Sequence, residues 1–414
     1  MGGAKNLVAL TAIQASNAAL PLLIFPYVLA VVGADLYANI VLTEAIAMLV
    51  VAVVLYSFEI DGVRQVVGLD VSSDGGRISR VFSGILGIRM LLFLMTSPIA
   101  LFLAWAIDPQ LLPLMICWLL LPLSYVLQPG WLCQGLQDNA FLAVTVVGAR
   151  LTAVVILFFF LDKGNYLLVP LAVAGFFLVG VVLALIYSMR RFRIHVEWLT
   201  WVELSQMLSS GKYMFASNLS VAFYRDVNVL ILGGLGGSSE AIASYSMAEK
   251  IIKMAQAAIR PINQVYLPKV LFLTKGVMYP SRVMLGKIMA LTWPQVAILA
   301  SVFFGAAIFY GCAESRLSWL QRLENRGEIL FLVSVMTFAA FAGVANYMLG
   351  MVGLSSLGAS KFFFRAVLFV GVCNLAMASL AILLFAQLGA AISFVVAEML
   401  LFGLVVTKYA RERK

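Results

Sequence analysis

Apolar runs of about 20 residues follow one another along almost the whole of this 414-residue chain. They fall near 7–32, 36–58, 79–107, 111–131, 141–161, 166–188, 212–234, 240–262, 284–309, 328–353, 363–385 and 388–408. A run of that length crosses the hydrocarbon core as a helix, whereas a barrel would show alternating segments of about ten residues. The sequence therefore predicts an all-α polytopic membrane protein of about twelve spans, with no room for a large soluble catalytic or nucleic-acid-binding module. Composition agrees: 63% of residues are hydrophobic and 11% charged, against about a quarter charged in soluble domains. The first run is too long for a signal-peptide core and reads as a retained span. Pro21, Pro26, Pro98, Pro122 and Pro294 lie inside runs and predict kinks.

An even number of spans places both termini on one side, and the loop charges say which. With the termini in the cytoplasm, seventeen Lys and Arg fall on that face, and only Lys163, Arg316, Arg322 and Arg326 on the other. This is the asymmetry of the positive-inside rule, so the net charge of +9 is topogenic and nucleic acid is not expected as a partner. The four cysteines are scattered and His195 is the only histidine. That combination excludes a disulfide framework and a His-based metal or acid–base centre; no cofactor is expected. The longest hydrophilic stretch sits mid-chain and divides the sequence into an N-terminal six-helix lobe over 1–190, a cytoplasmic linker over 191–211, and a C-terminal six-helix lobe over 212–414. Most tryptophans, Trp198 and Trp201 among them, sit near span ends as interfacial belts require.

The informative residues are the ionisable ones inside the spans: Glu44, Arg89, Arg150, Arg225, Asp226, Glu249, Lys250, Lys253, Arg260 and Glu398. Facing lipid at mid-depth, all ten would cost roughly 25–35 kcal/mol, so they must face one another or a wet pathway. Glu249, Lys253, Gln256 and Arg260 recur at i, i+4, i+7 and i+11 and share one face of the eighth span. Asn218, Arg225 and Asn228 lie close to one face of the seventh. Arg89 and Arg150 have no acidic neighbour in sequence. Each suits an anionic ligand, or equally an interhelical pair with Glu44 or Glu398. Gln14 and Asn17 share a stripe of the first span that suits a sugar or the next helix. Any of Glu44, Glu249 and Glu398 can serve proton coupling once desolvated.

Three stretches carry a resemblance: QASNAALPLLIFPYVLAVVG from Gln14 to Gly33, QPGWLCQGLQD from Gln128 to Asp138, and Gly211 to Pro268, which contains GKYMFASNL, NVLILGGLGG and YSMAEKI. They resemble the Wzx-type polysaccharide (O-antigen) flippases of the multidrug/oligosaccharidyl-lipid/polysaccharide exporter superfamily. The resemblance implies two six-helix lobes around a central cavity. It also implies movement of an undecaprenyl-pyrophosphate-linked glycan from the cytoplasmic to the periplasmic leaflet of the bacterial inner membrane, by alternating access coupled to a proton or another cation. On that reading Arg89, Arg150, Arg225, Lys250, Lys253 and Arg260 attract the pyrophosphate, with Asn218, Gln14 and Asn17 as polar contacts. Glu249, Glu44, Glu398 and Asp226 are then the coupling carboxylates, membrane lipid surrounds the protein, and a glycan polymerase is a candidate partner. The rival readings are a multidrug antiporter, for which six basic residues among ten are unfavourable, and a lipid II flippase, which usually carries two further helices. An enzyme is not expected, because the longest outer loop offers charged residues but no histidine.

Overall fold

A computed structural model of the protein describes residues 2–274, 279–313 and 325–411. Helix makes up most of each of the twelve apolar runs, and no strand occurs among the described residues. Among those residues eight helical segments are long and apolar enough to cross a membrane, as befits a multi-pass membrane protein. The chain forms two compact units, Met1–Leu20 with Val31–Ala222, and Pro21–Ala30 with Phe223–Lys414. The side chain of Arg260 and the loop residues Glu314, Arg316, Arg322 and Glu324 lie outside the described residues.

The first unit takes most of α1 (Gly2–Val32), then α2 (Ala34–Leu55), α3 (Phe58–Val66), α4 (Gly75–Ile107), α5 (Pro109–Gly135), α6 (Ala140–Phe160) and α7 (Leu168–Arg191), and most of α8 (Trp201–Arg225). Its helices are interrupted where the sequence withholds a backbone donor or forces a turn. Directly after Pro170, α7 widens into a π-helical turn over Leu171–Gly175. Between α2 and α3 the chain turns at Tyr56, whose φ is 51°, so the helix of the run expected at 36–58 ends at Leu55 and a second helix starts where the run stops.

That break is fastened by α8. The Tyr56 hydroxyl donates to the Leu208 carbonyl at 2.7 Å, its ring stacks on Phe215 at 4.4 Å, and the Asn218 amide donates to the Tyr56 carbonyl at 3.3 Å. Gly211, Phe215 and Asn218 stand at i, i+4 and i+7, one face of α8. A methyl on Gly211 would lie 2.9 Å from the Tyr56 ring and 3.1 Å from Ser57 Cβ. Much of the GKYMFASNL stretch therefore records a helix seated on a turn.

The second unit holds α9 (Asn228–Gly234), α10 (Ser239–Thr274), α11 (Arg282–Ala313), α12 (Arg326–Leu354) and α13 (Ser360–Arg411). The run expected at 212–234 breaks at Asp226 and Val227, between α8 and α9. At 36 residues α10 is roughly 54 Å long, enough to cross a bilayer despite its charges. Residues 241–249 are buried all round, and α10 packs most extensively on α12. Helix α13 is two spans joined at Ala386, where φ is 47° and ψ −125°. In a continuous helix residues seven apart are about 10.5 Å from each other, yet a Cβ on Gly389 would lie 2.7 Å from the Ile382 amide nitrogen. The chain folds back on itself there, as expected for runs 363–385 and 388–408. A single carboxylate ties the turn to two other helices: Glu328 accepts from Gln387 and, at 3.1 Å, from the Ser244 hydroxyl.

Crowding at Gly211 can be set against helix propensity. Replacing Gly by Ala in an open helix gains about 1 kcal/mol, whereas overpacking costs about 1–3 kcal/mol. Gly211→Ala is expected to lower the thermal midpoint of the purified protein. Gly87→Ala, whose added methyl meets nothing within 4 Å, is expected to leave it unchanged or raise it.

Candidate functional site

The intramembrane charges of the second unit gather into one cluster, whereas those of the first are held at separate places. In the first, Arg89 on α4 is fully buried. Its Nη2 donates to Glu59 on α3 at 2.6 Å, and its Nη1 to the Tyr125 and Gln128 carbonyls at 3.2 and 3.3 Å. Local chemistry explains the docking. An uninterrupted helix would supply the Tyr125 carbonyl with the amide of residue 129, but residue 129 is proline and has no N–H. Arg89 replaces the missing donor at the QPGW break, and Glu59 balances its charge. Its partner is thus Glu59, rather than Glu44 or Glu398.

Arg150 on α6 is placed differently. Its guanidinium carbon lies 5.0 Å from the centre of the Phe177 ring, and the Tyr125 hydroxyl is beside it; the Tyr125 and Phe177 rings are themselves 5.5 Å apart. No carboxylate pairs with it among the described residues, and its buried Nε has no hydrogen-bond partner. A ring face offers a cation some stabilisation without neutralising it. Helix α7 comes close enough to supply Phe177 because Gly180 faces α6, where a Cβ would lie 2.8 Å from Ala149 Cβ. Of the other residues expected at a site, Glu44 and Gln14 are half-buried and Asn17 is exposed. Asn218 is engaged at Tyr56.

In the second unit the break after α8 brings Arg225 and Asp226 against α10. Lys253 lies 2.7 Å from Asp226 and 3.2 Å from Glu249, so one ammonium serves two carboxylates. Arg225 lies 3.7 Å from Glu398 of α13 and donates to Gln256. Glu398, almost wholly buried, is held by Asn346, whose amide donates to its carboxylate at 2.8 Å and its carbonyl at 2.9 Å. Asn346 opens a π-helical stretch over Asn346–Leu354, an irregularity that often marks working parts of a helix. Gly343, one turn earlier, leaves room for Gln256, whose Nε2 would be 2.8 Å from a Cβ there. Lys250 sits over the Phe25 ring at 3.6 Å. The polar stripe of α10 thus meets partners from α8, α12 and α13.

Counting Arg225, Lys250 and Lys253 against Asp226, Glu249 and Glu398, the cluster carries three positive and three negative groups. Among the described residues no group of three His, Cys, Asp or Glu side chains is placed to hold a metal ion. Sequence reasoning missed Glu59, one residue beyond an apolar run, and Asn346, an uncharged amide within one. An intramembrane amide, a costly donor without a partner, is the signal that would have found the second.

Arg89 and Arg150 should respond oppositely to loss of charge. Arg89→Leu leaves a buried carbonyl without a donor and Glu59 without its cation. It is expected to cost the equivalent of about 2–4 kcal/mol in thermal or denaturant unfolding of the detergent-solubilised protein. Arg150→Gln removes a half-buried charge that has no counter-ion, and the same measurement is expected to show no loss.

Comparison with known proteins places this architecture. Residues 4–272 match the family described as polysaccharide biosynthesis protein. The "Putative O-antigen transporter" of Escherichia coli (strain K12) is 23% identical over 97% of this chain and 95% of its own length. A protein of the same description from Shigella dysenteriae is 23% identical over 73% of this chain and 75% of its own. Among solved structures, the lipid II flippase MurJ in its inward closed conformation superposes with a TM-score of 0.67 at 12% identity, over 97% of this chain and 86% of MurJ. An inward-facing multidrug resistance MATE family transporter of the MOP superfamily gives 0.57 at 14% identity over 98% of both chains. The fold is the one these transporters share, and the chain belongs to the polysaccharide biosynthesis protein family of multi-pass membrane proteins.

Proposed function

We propose that this protein is a flippase that carries an undecaprenyl-pyrophosphate-linked oligosaccharide from the cytoplasmic to the periplasmic leaflet of the bacterial inner membrane. The reading is supported by the family, by relatives described as O-antigen transporters, and above all by Arg150. A guanidinium inside the membrane, beside the Tyr125 hydroxyl and the Phe177 ring and with no carboxylate partner among the described residues, is costly to maintain unless an anion visits it. A pyrophosphate matches its planar fork and its unused Nε donor. Organic cations, the cargo of a multidrug antiporter, would be repelled there. Arg89 takes a structural part in this scheme, since both of its terminal nitrogens are committed within the unit and Glu59 balances its charge, although its buried Nε has no partner.

The cluster of the second unit is where we place the drive for transport. Lys253 is shared by Asp226 and Glu249, and Arg225 is held by Glu398. An arriving pyrophosphate competes with these carboxylates for the same cations. Each displaced carboxylate then takes up a proton or another cation, because an uncompensated charge in the membrane is expensive. Substrate and coupling ion become linked through a set of charges that is neutral at rest, and alternating access follows if the two pairings favour different conformations. Lys250, over the Phe25 ring, and Arg260, by its sequence position, are proposed as further cations for the pyrophosphate.

The decisive experiment is transport of a labelled prenyl-pyrophosphate-linked glycan by the reconstituted protein, with and without a pH gradient. Arg150→Gln is expected to slow transport roughly tenfold or more, as befits loss of a charge-assisted contact worth about 1.5–3 kcal/mol, with Arg150→Lys intermediate and stability unchanged. Transport of the glycan at the wild-type rate by Arg150→Gln would overturn the proposal, as would transport of an organic cation in place of the glycan.

A further inference from the structure

The segment between α7 and α8 is not a slack connection. Phe192 and Ile194 are buried, and Arg193 takes a left-handed φ of 50°. The His195 amide then donates to Ser79 Oγ at 3.1 Å, and the Glu197 amide to Ser83 Oγ at 2.9 Å. Two extended residues advance about 6.6 Å and four helical residues about 6 Å, so the segment runs parallel to α4 in matched steps. Leu199 continues the match, for a Cβ on Gly84 would lie 3.2 Å from it. Thr200 and Glu203 close a capping box at the start of α8: the Glu203 carboxylate accepts from the Thr200 amide at 2.9 Å and hydroxyl at 2.8 Å. Glu203 also pairs with Arg80 at 3.0 Å, and those bonds, the Thr200 amide first, hold its carboxyl below the usual range. Trp201 and Val202 are thereby fixed as the first residues of a helix.

What this rigid segment shows to its surroundings is unusual for a polar linker. Trp198 is wholly exposed, and Val196, Trp201 and Val202 are each more than half exposed. At the other end of the register stand the exposed Arg77, Arg190 and Arg193. Arg80 and Arg191 are neutralised by Glu203 and Asp138, but these three have no carboxylate partner among the described residues. Arg77 precedes Ser83 by six helical residues, about 9 Å along α4, and α4 continues from there into its apolar length with most of its surface uncovered. Along the direction of α4 the order is therefore cations first, tryptophans about two turns deeper, hydrocarbon beyond.

We infer that the α7–α8 segment is a binding site for anionic phospholipid, with Arg77, Arg190 and Arg193 taking headgroup phosphate and Trp198 and Trp201 seated at the glycerol and upper acyl level. The order of chemistry along α4 is the order within a phospholipid, and charge selects the anionic kind. Basic residues are drawn to an anionic leaflet, and tryptophans favour this depth. A soluble protein partner would account for exposed apolar residues but not for their depth along a spanning helix.

The test uses the full-length protein in nanodiscs of phosphatidylcholine alone or mixed with phosphatidylglycerol. Phosphatidylglycerol is expected to raise the thermal midpoint of the wild type, and the rise is expected to vanish in Arg77→Gln/Arg190→Gln/Arg193→Gln, while the midpoint in pure phosphatidylcholine stays unchanged. In nanodiscs with brominated acyl chains, Trp198→Phe/Trp201→Phe is expected to remove part of the quenchable tryptophan emission. Three results would each overturn the inference: an equal lipid response in wild type and triple variant, an acyl-chain-quenched signal unaltered by the tryptophan substitutions, or inorganic phosphate reproducing the rise in pure phosphatidylcholine.

Discussion

Every polar group that enters hydrocarbon must find a partner inside the protein, and the helices of this chain are cut and joined according to that demand. The clearest instance is Arg89. Proline at position 129 removes a backbone donor at a break in α5, and the guanidinium of α4 fills the gap while Glu59 on α3 balances it. Three helices are thus held by one side chain, and its cost of burial is recovered only because all three contribute. Glu328 joins α10, α12 and the turn of α13 in the same manner, with a carboxylate as the shared group.

The charges of the two units meet the demand in different ways. Among the described residues the cluster on α10 carries as many carboxylates as cations. Arg150 is not balanced by any described carboxylate.

Most of the fold was legible in the sequence because its strongest signal, run length, is set by bilayer thickness rather than by tertiary detail. The breaks were less legible. Tyr56 and Ala386 are not turn-forming residues by habit, and these breaks, with that at Asp226, are held by contacts from distant segments that a local reading cannot see. The spacing of Glu249, Lys253 and Gln256 correctly set them on one face of α10, but spacing says nothing about partners on other helices. Glu59 escaped notice for lying one residue past an apolar run, and Asn346 because a count of charges passes over amides. Conversely, Gly211 and Asn218 stood out in the stretch that resembles polysaccharide flippases, and the structure sets both against the turn at Tyr56. A motif in a membrane helix can record close packing as readily as chemistry.

The fold-back at Ala386 bears on how the protein is made. Between Arg365 and Glu398 the chain carries no Asp, Glu, Lys, Arg or His, so the turn and most of both adjoining helices can move through the bilayer at little electrostatic cost. Basic residues flank this stretch at both ends, Lys361 and Arg365 at one and Lys408 and Arg411 at the other, a placement that favours keeping both ends on one side. The last two spans are thus equipped to enter the membrane together as a preformed hairpin, with Gly389 permitting the close contact that stabilises it before the remaining helices of the unit are in place.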